Sequence, residues 1–390
     1  MSPESRAESN SRFYHPELDG LRFFAFLAVF LHHAWEIASI HSPLARSLWW
    51  AGTAGVDVFF VLSGYLITEL LRRETAQFGE VRLSLFYARR CLRIWPLYFT
   101  LLAVAWVGDG LCFSMRGFSP AEVVLFATFL GNWSCVWFAF PQSVASALWT
   151  VSIEEQFYLF WPVLVRRFTP GRIFVAAVGL LLVGTITRAV GIARGWSDLT
   201  LYTSTFTRLD GLACGALLAA GLNGSLPRLS NSIRTAMWTS GLILVVLTYR
   251  FTGSGFVGRS DWSLLVQPLA IALAAVGIVV STLRPNGERV GLVSRPLMVR
   301  LGMISYGLYV LHRPVQRLTA LFFVSYYPSL PIPIYATISL ILTIAAASLS
   351  YVLIERPFLI WKARFQRASR RIPTRESASL VTERLVGAQP

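Results

Sequence analysis

An all-α, polytopic membrane bundle is what this chain predicts, on two observations. Hydrophobic residues make up 55% of it against 14% charged, and mean hydropathy is +0.56, well outside the range of ordinary soluble domains. The apolar residues also fall into runs long enough to cross a bilayer. A chain of 390 residues accommodates about ten such spans of about 20 residues with short loops, leaving little for a soluble domain. The expected organisation is an N-terminal segment over 1–13, a membrane domain over 14–358, and a basic tail over 359–390.

In chain order the spans are expected near 18–38, 50–71, 94–107, 148–165, 173–192, 206–222, 235–249, 264–283, 301–324 and 334–354. The polar first twelve residues lack the apolar core and cleavage site of a signal peptide, so the first run reads as a retained span. Arg72, Arg73, Arg82, Arg89, Arg90 and Arg93 crowd the connection after the second span. Arg284, Arg289, Arg295 and Arg300 crowd the one after the eighth. The excess of cations on cytoplasmic loops places both connections, and with them both termini, in the cytoplasm. The stretch 121–140 is apolar enough for an eleventh crossing, but that would put Arg166, Arg167 and Arg172 outside. With Asn132, Ser134 and Pro141 in or beside it, the stretch suits a re-entrant or interfacial element.

Charge and cysteine usage narrow the function. The net charge of +15 is spread over loops between apolar runs, where it reports orientation in a bilayer, and a nucleic-acid partner is not expected. Membrane lipid is the expected surface for the basic tail. Cys91, Cys112, Cys135 and Cys214 show no CxxC or Cys/His spacing, so no metal site is expected.

Polar residues inside the spans carry the functional signal, since ionisable groups at membrane depth are costly and mark sites or ion paths. Arg22 and His33 lie in the first span with ten residues between them. Eleven helical steps return to within about 20°, so the two share a face about 16 Å apart, while His32 points elsewhere. Arg90 and Arg93, three apart in Phe86–Pro96, also share a face, with Arg89 beside them. With Arg22 these arginines form an inner basic layer suited to a phosphate or pyrophosphate. The plainer alternative is anchoring to lipid head groups.

A second layer toward the other membrane face collects His33, Asp57, Glu154, Glu155, Arg208 and Asp210. A carboxylate on one ring nitrogen of His33 would set its tautomer and leave the other nitrogen as a general base. Asp57, Glu154 and Glu155 are the candidates. Neighbours on a helix diverge by 100°, so at most one of the two glutamates can face a shared site. The plainer alternative is mutual neutralisation of these acids with Arg208.

These motifs agree in order with one family. Leu18-Asp-Gly-Leu-Arg22 running to His33, the Phe59–Gly64 run, Arg90-x-x-Arg93, Ser152–Tyr158, Arg208-Leu-Asp-Gly211 and Ile304–His312 with Pro314 resemble the acyltransferase-3 family of integral membrane O-acyltransferases. The resemblance covers essentially 14–358 and corresponds to the form without a fused extracytoplasmic hydrolase-like domain. It implies an acyltransferase of the bacterial inner membrane that uses cytoplasmic acyl-CoA, most simply acetyl-CoA, with Arg22, Arg90, Arg93 and Arg89 contributing to donor use. It implies also that His33 is catalytic, as general base or acyl carrier, supported by Asp57, Glu154 or Glu155. Arg208, Asp210 and Tyr158 are the residues expected to meet substrate. The acceptor implied is a hydroxyl of a surface polysaccharide, lipopolysaccharide or glycolipid, in the company of envelope-glycan assembly proteins, or a secondary metabolite such as a macrolide. His32 is second choice to His33, and His312 could face the site or stabilise a kink at Pro314. A proton-coupled transporter, with the acids and His33 as relay, is the rival reading.

Overall fold

The computed structural model describes residues 14–34, 43–252, 260–285, 291–327 and 331–361. The expected N-terminal segment, Arg289 and the basic tail beyond 361 lie outside the described residues. Among those described there is no strand; the chain is a bundle of α-helices, as the composition requires.

Six helical stretches are long and apolar enough to cross a membrane by length and composition: 44–78, 83–111, 170–193, 231–252, 261–282 and 332–361. The remaining expected spans also fold as helices at their predicted places. These are α1 (Pro16–Ala34), Leu148–Arg167, Leu209–Leu222 and Ser305–Tyr326. Three of these four carry more than one charged residue within them and Leu209–Leu222 is short.

In chain order, α2 (Pro43–Ala51) and α3 (Ala54–Phe78) follow α1, then α4 (Leu83–Leu111). The stretch proposed as a re-entrant or interfacial element folds as α5 (Pro120–Ala127) and α6 (Gly131–Phe138). Eight residues rise only about 12 Å, so neither helix crosses a bilayer. Ser119 begins α5 with a reciprocal capping box: its hydroxyl accepts from the Glu122 amide while the Glu122 carboxylate accepts from the Ser119 amide. Next come α7 (Leu148–Arg167), α8 (Pro170–Ala193), α9 (Asp198–Thr203), α10 (Leu209–Leu222), α11 (Asn231–Thr252), α12 (Asp261–Thr282), α13 (Pro296–Met303), α14 (Ser305–Tyr326) and α15 (Ile332–Ser350). A π-helical turn, Tyr351–Glu355, continues α15.

Helix α3 lies at the centre, packed on α10, α1, α12 and α7, while α1 also meets α13, α14 and α15. Its contact with α10 depends on backbone proximity. A Cβ added at Gly64 would sit 2.1 Å from the Leu212 carbonyl oxygen, and one at Gly215 would sit 2.1 Å from that of Val61. Small residues at such crossings let helices approach closely, the usual source of packing energy where lipid offers no hydrophobic contrast.

A candidate active site between the arginine cavity and His33

One face of α7 presents Thr150, Glu154 and Tyr158 at intervals of four, so the three align along about 12 Å of helix. Facing them are Phe60 and Ser63 of α3, Arg90 and Arg93 of α4, Arg22 of α1, and Tyr306 and Tyr309 of α14. Together they line a cavity of about 680 Å3, counted out to its open mouth. Arg90 marks one end, its guanidinium 5.1 Å from the Tyr158 ring centroid. Thr150 and Tyr309 mark the other, their hydroxyls 2.8 Å apart.

Charge in the cavity is unbalanced. Arg22 donates to Asp19 at 3.1 Å. Arg90 and Arg93 make no ion pair or hydrogen bond with a carboxylate among the described residues; Arg90 rests on the rings of Phe86 and Tyr158. Neighbouring guanidiniums left without carboxylates in a part-buried cavity favour an anion between them, and their planar forks suit phosphate oxygens. Arg89 does not join them. It turns to Glu74 at 2.9 Å on the adjoining stretch of α3.

The two glutamates diverge as helical geometry requires. Glu154 faces the cavity and accepts a hydrogen bond from Ser63 at 2.6 Å. Glu155 leaves it and accepts from the Trp95 indole at 3.1 Å. Neither is the partner of His33. Asp57 is not either, since it pairs with Arg208 at 3.0 Å, both side chains almost fully buried. The three acids named as candidates to orient His33 are therefore all engaged elsewhere.

His33 has other neighbours. Its Nδ1 lies 3.0 Å from the Val29 carbonyl oxygen and 3.2 Å from Nε2 of His312. His312 is fully buried, and its own Nδ1 is hydrogen-bonded to the carbonyl oxygen of Tyr309. The step from cavity to His33 is short: Tyr309 lines the cavity, its ring centroid is 5.6 Å from that of His312, and His312 is 5.1 Å from His33. His32 instead packs on Trp49, with ring centroids 4.2 Å apart. The Trp49 indole donates to the His32 carbonyl at 2.7 Å.

Arg208 and Asp210, expected to meet substrate, are drawn into a buried charge cluster. Asp210 accepts two hydrogen bonds from Arg188, at 2.7 and 2.9 Å, and Arg188 also donates to the Thr207 carbonyl at 2.8 Å. The Arg208 guanidinium stacks 4.9 Å from the Tyr202 ring centroid. Arg188 was not legible as a partner: it sits in an apolar helix with no acid of its own, and only the fold brings it to Asp210. Ser63, Tyr306 and Tyr309 fall inside the Phe59–Gly64 and Ile304–His312 motifs, but nothing in their spacing singled them out as cavity wall.

A helical bundle with several membrane-length apolar helices here aims Arg90 and Arg93 into a cavity that ends beside a histidine pair. The chain belongs to the acyltransferase-3 family, whose model, described as an acyltransferase domain, matches residues 15–352. Among its relatives is "Putative O-acetyltransferase SAS0844" of Staphylococcus aureus, 30% identical over 369 residues, covering 88% of this chain and 57% of the relative. The peptidoglycan O-acetyltransferase OatA of Listeria monocytogenes is 27% identical over 341 residues, covering 80% and 51%. The O-acetyltransferase OatA of Staphylococcus aureus is 28% identical over 373 residues, covering 88% and 57%. The chain thus spans little more than half the length of these relatives. No solved structure matches it.

Proposed function

We propose that this chain is a membrane O-acyltransferase that moves an acyl group, most simply acetyl, from acyl-CoA to a hydroxyl of a carbohydrate-containing acceptor of the cell envelope. The observation that carries the reading is the cavity itself, in which Arg90 and Arg93 lack carboxylate partners and whose far end adjoins the His33–His312 pair. Donor phosphates would take the place of the missing carboxylates at Arg90, Arg93 and Arg22. The arginine end would face the cytoplasm of a bacterial inner membrane, where acyl-CoA resides, with both termini on that side. Peptidoglycan enters as a candidate acceptor because one relative is named for it. Proteins that assemble such glycans are the expected partners.

In this mechanism the proton of the acceptor hydroxyl passes to Nε2 of His33 as the hydroxyl oxygen attacks the thioester carbonyl carbon. The C–S bond breaks, and the thiolate departs with that proton. In the covalent variant Nε2 attacks the thioester first and the C–S bond breaks to release the thiolate; the acceptor hydroxyl then takes the acyl group from Nε2, and its proton goes to the thiolate. Both need Nε2 bare, which Val29 favours: a carbonyl only accepts, so Nδ1 carries the ring proton.

The test is incubation of the purified chain with radiolabelled acetyl-CoA and host envelope glycans, beside His33→Ala. Expected are thioester loss and acceptor labelling that disappear in the variant. Undiminished turnover in His33→Ala would remove the catalytic assignment. An intact thioester with every acyl-CoA offered would move the chain to the transporter reading.

A further inference from the structure

The hydrogen bonds around His33 allow one consistent placement of protons. The Tyr309 carbonyl can only accept, so His312 carries its proton on Nδ1 and presents a bare Nε2. The Val29 carbonyl likewise puts the His33 proton on Nδ1. That proton points also at the bare Nε2 of His312, 3.2 Å away. The result is a directional chain from the free Nε2 of His33, through its Nδ1–H, to His312, and from the Nδ1–H of His312 to a backbone oxygen. His312 is held firmly: it is fully buried, its ring meets Phe26 edge-on, and one turn further Gln316 donates to the Phe30 carbonyl at 3.0 Å.

We infer that His312 is a positioning residue for His33, doing with a neutral imidazole what a carboxylate was expected to do. The inference rests on the acyl-transfer reading. It fixes the reactive tautomer and ring orientation of His33. When Nε2 of His33 takes the acceptor's proton, the resulting imidazolium donates its Nδ1–H to the lone pair on His312. The proton can then shift to His312, leaving His33 neutral and the charge on a ring whose Nδ1–H is already bound to the Tyr309 carbonyl. No bond other than N–H changes in this step, and the charge is spread over two rings, with no carboxylate bonded to His33 among the described residues.

The experiment compares His312→Gln and His312→Leu with the parent chain, reading kcat and KM for acetyl-CoA together with thermal melting in detergent. Glutamine keeps an acceptor oxygen near the position of Nε2; leucine does not. Leucine is expected to lower kcat about 10²-fold with KM for acetyl-CoA unchanged, and glutamine to restore it to within about tenfold. A leucine variant within about threefold of the parent, or a folded glutamine variant as impaired as leucine, overturns the proposal. Nitrogen-15 spectra of the histidine-labelled parent chain, with His33 assigned through His33→Gln, read the tautomer without altering His312. Protonation at Nδ1 of His33 is expected, and protonation at Nε2 overturns the inference. If the parent transfers no acyl group at all, the acyltransferase reading fails, while the spectra still decide the histidine pairing.

Discussion

Two clusters of arginine sit among the helices of this protein and have opposite fates. Around α10, Arg188 and Arg208 meet Asp210 and Asp57 at 2.7 and 3.0 Å, with all four side chains at 6% exposure or less. Around the cavity, Arg90 and Arg93 form no ion pair or hydrogen bond with a carboxylate among the described residues, although Glu154 lines the same cavity. A charge neutralised inside the protein is scaffold: its desolvation is already offset by its partner, and a ligand would have to break that pair. A charge left without an ion pair beside open space keeps its donors available to an anion, as the proposed function requires. Residue type does not separate the two, and Asp57, Arg208 and Asp210 in the one, like Arg90 and Arg93 in the other, were marked as functional by sequence reasoning. What separates them is the partner.

Breaking the paired cluster should give the largest effect. Arg188→Met strands Asp210 and should cost about 3–5 kcal/mol of stability, seen as a fall in melting temperature in detergent, with Arg188→Met/Asp210→Leu recovering most of it. If the single variant melts like the parent, the scaffold assignment is wrong. A smaller effect, and of another kind, is expected in the cavity. Arg93→Ala or Arg90→Ala should leave melting unchanged and raise KM for acetyl-CoA roughly 10- to 150-fold, equivalent to about 1.5–3 kcal/mol for hydrogen bonds to a charged group. Lysine at either position should recover part of this, because it supplies charge without the planar fork. A large loss of stability in these variants would erase the contrast between the clusters. Arg89→Ala should change the donor KM least, since its partner is the buried Glu74 and not the cavity, and should lower the melting temperature by less than Arg188→Met does, because Arg89 itself keeps some contact with solvent. A donor KM raised as far as in Arg93→Ala would return Arg89 to the binding site.

The histidines repeat the lesson at closer range. Helical period alone set Glu154 and Glu155 apart, and the structure keeps that relation: Glu154 faces the cavity and Glu155 turns to Trp95. It did not say what His33 would touch. Three acids were plausible by depth, yet the neighbour is His312, 279 residues along the chain, which sequence reasoning left between a site role and a kink at Pro314.

The sequence by itself determined the all-helical membrane character, the positions of the long helices, and which residues share a face within each, because bilayer thickness demands apolar runs and the 3.6-residue period is local. The tertiary structure alone decided which arginines were paired, which glutamate reached the cavity wall across from α4, and which ring met His33. Those outcomes depend on how each helix is rotated and how closely it approaches its neighbour. Contacts such as Gly64 against Leu212 and Gly215 against Val61 set that approach, and they join residues far apart in the chain, where no local period reaches.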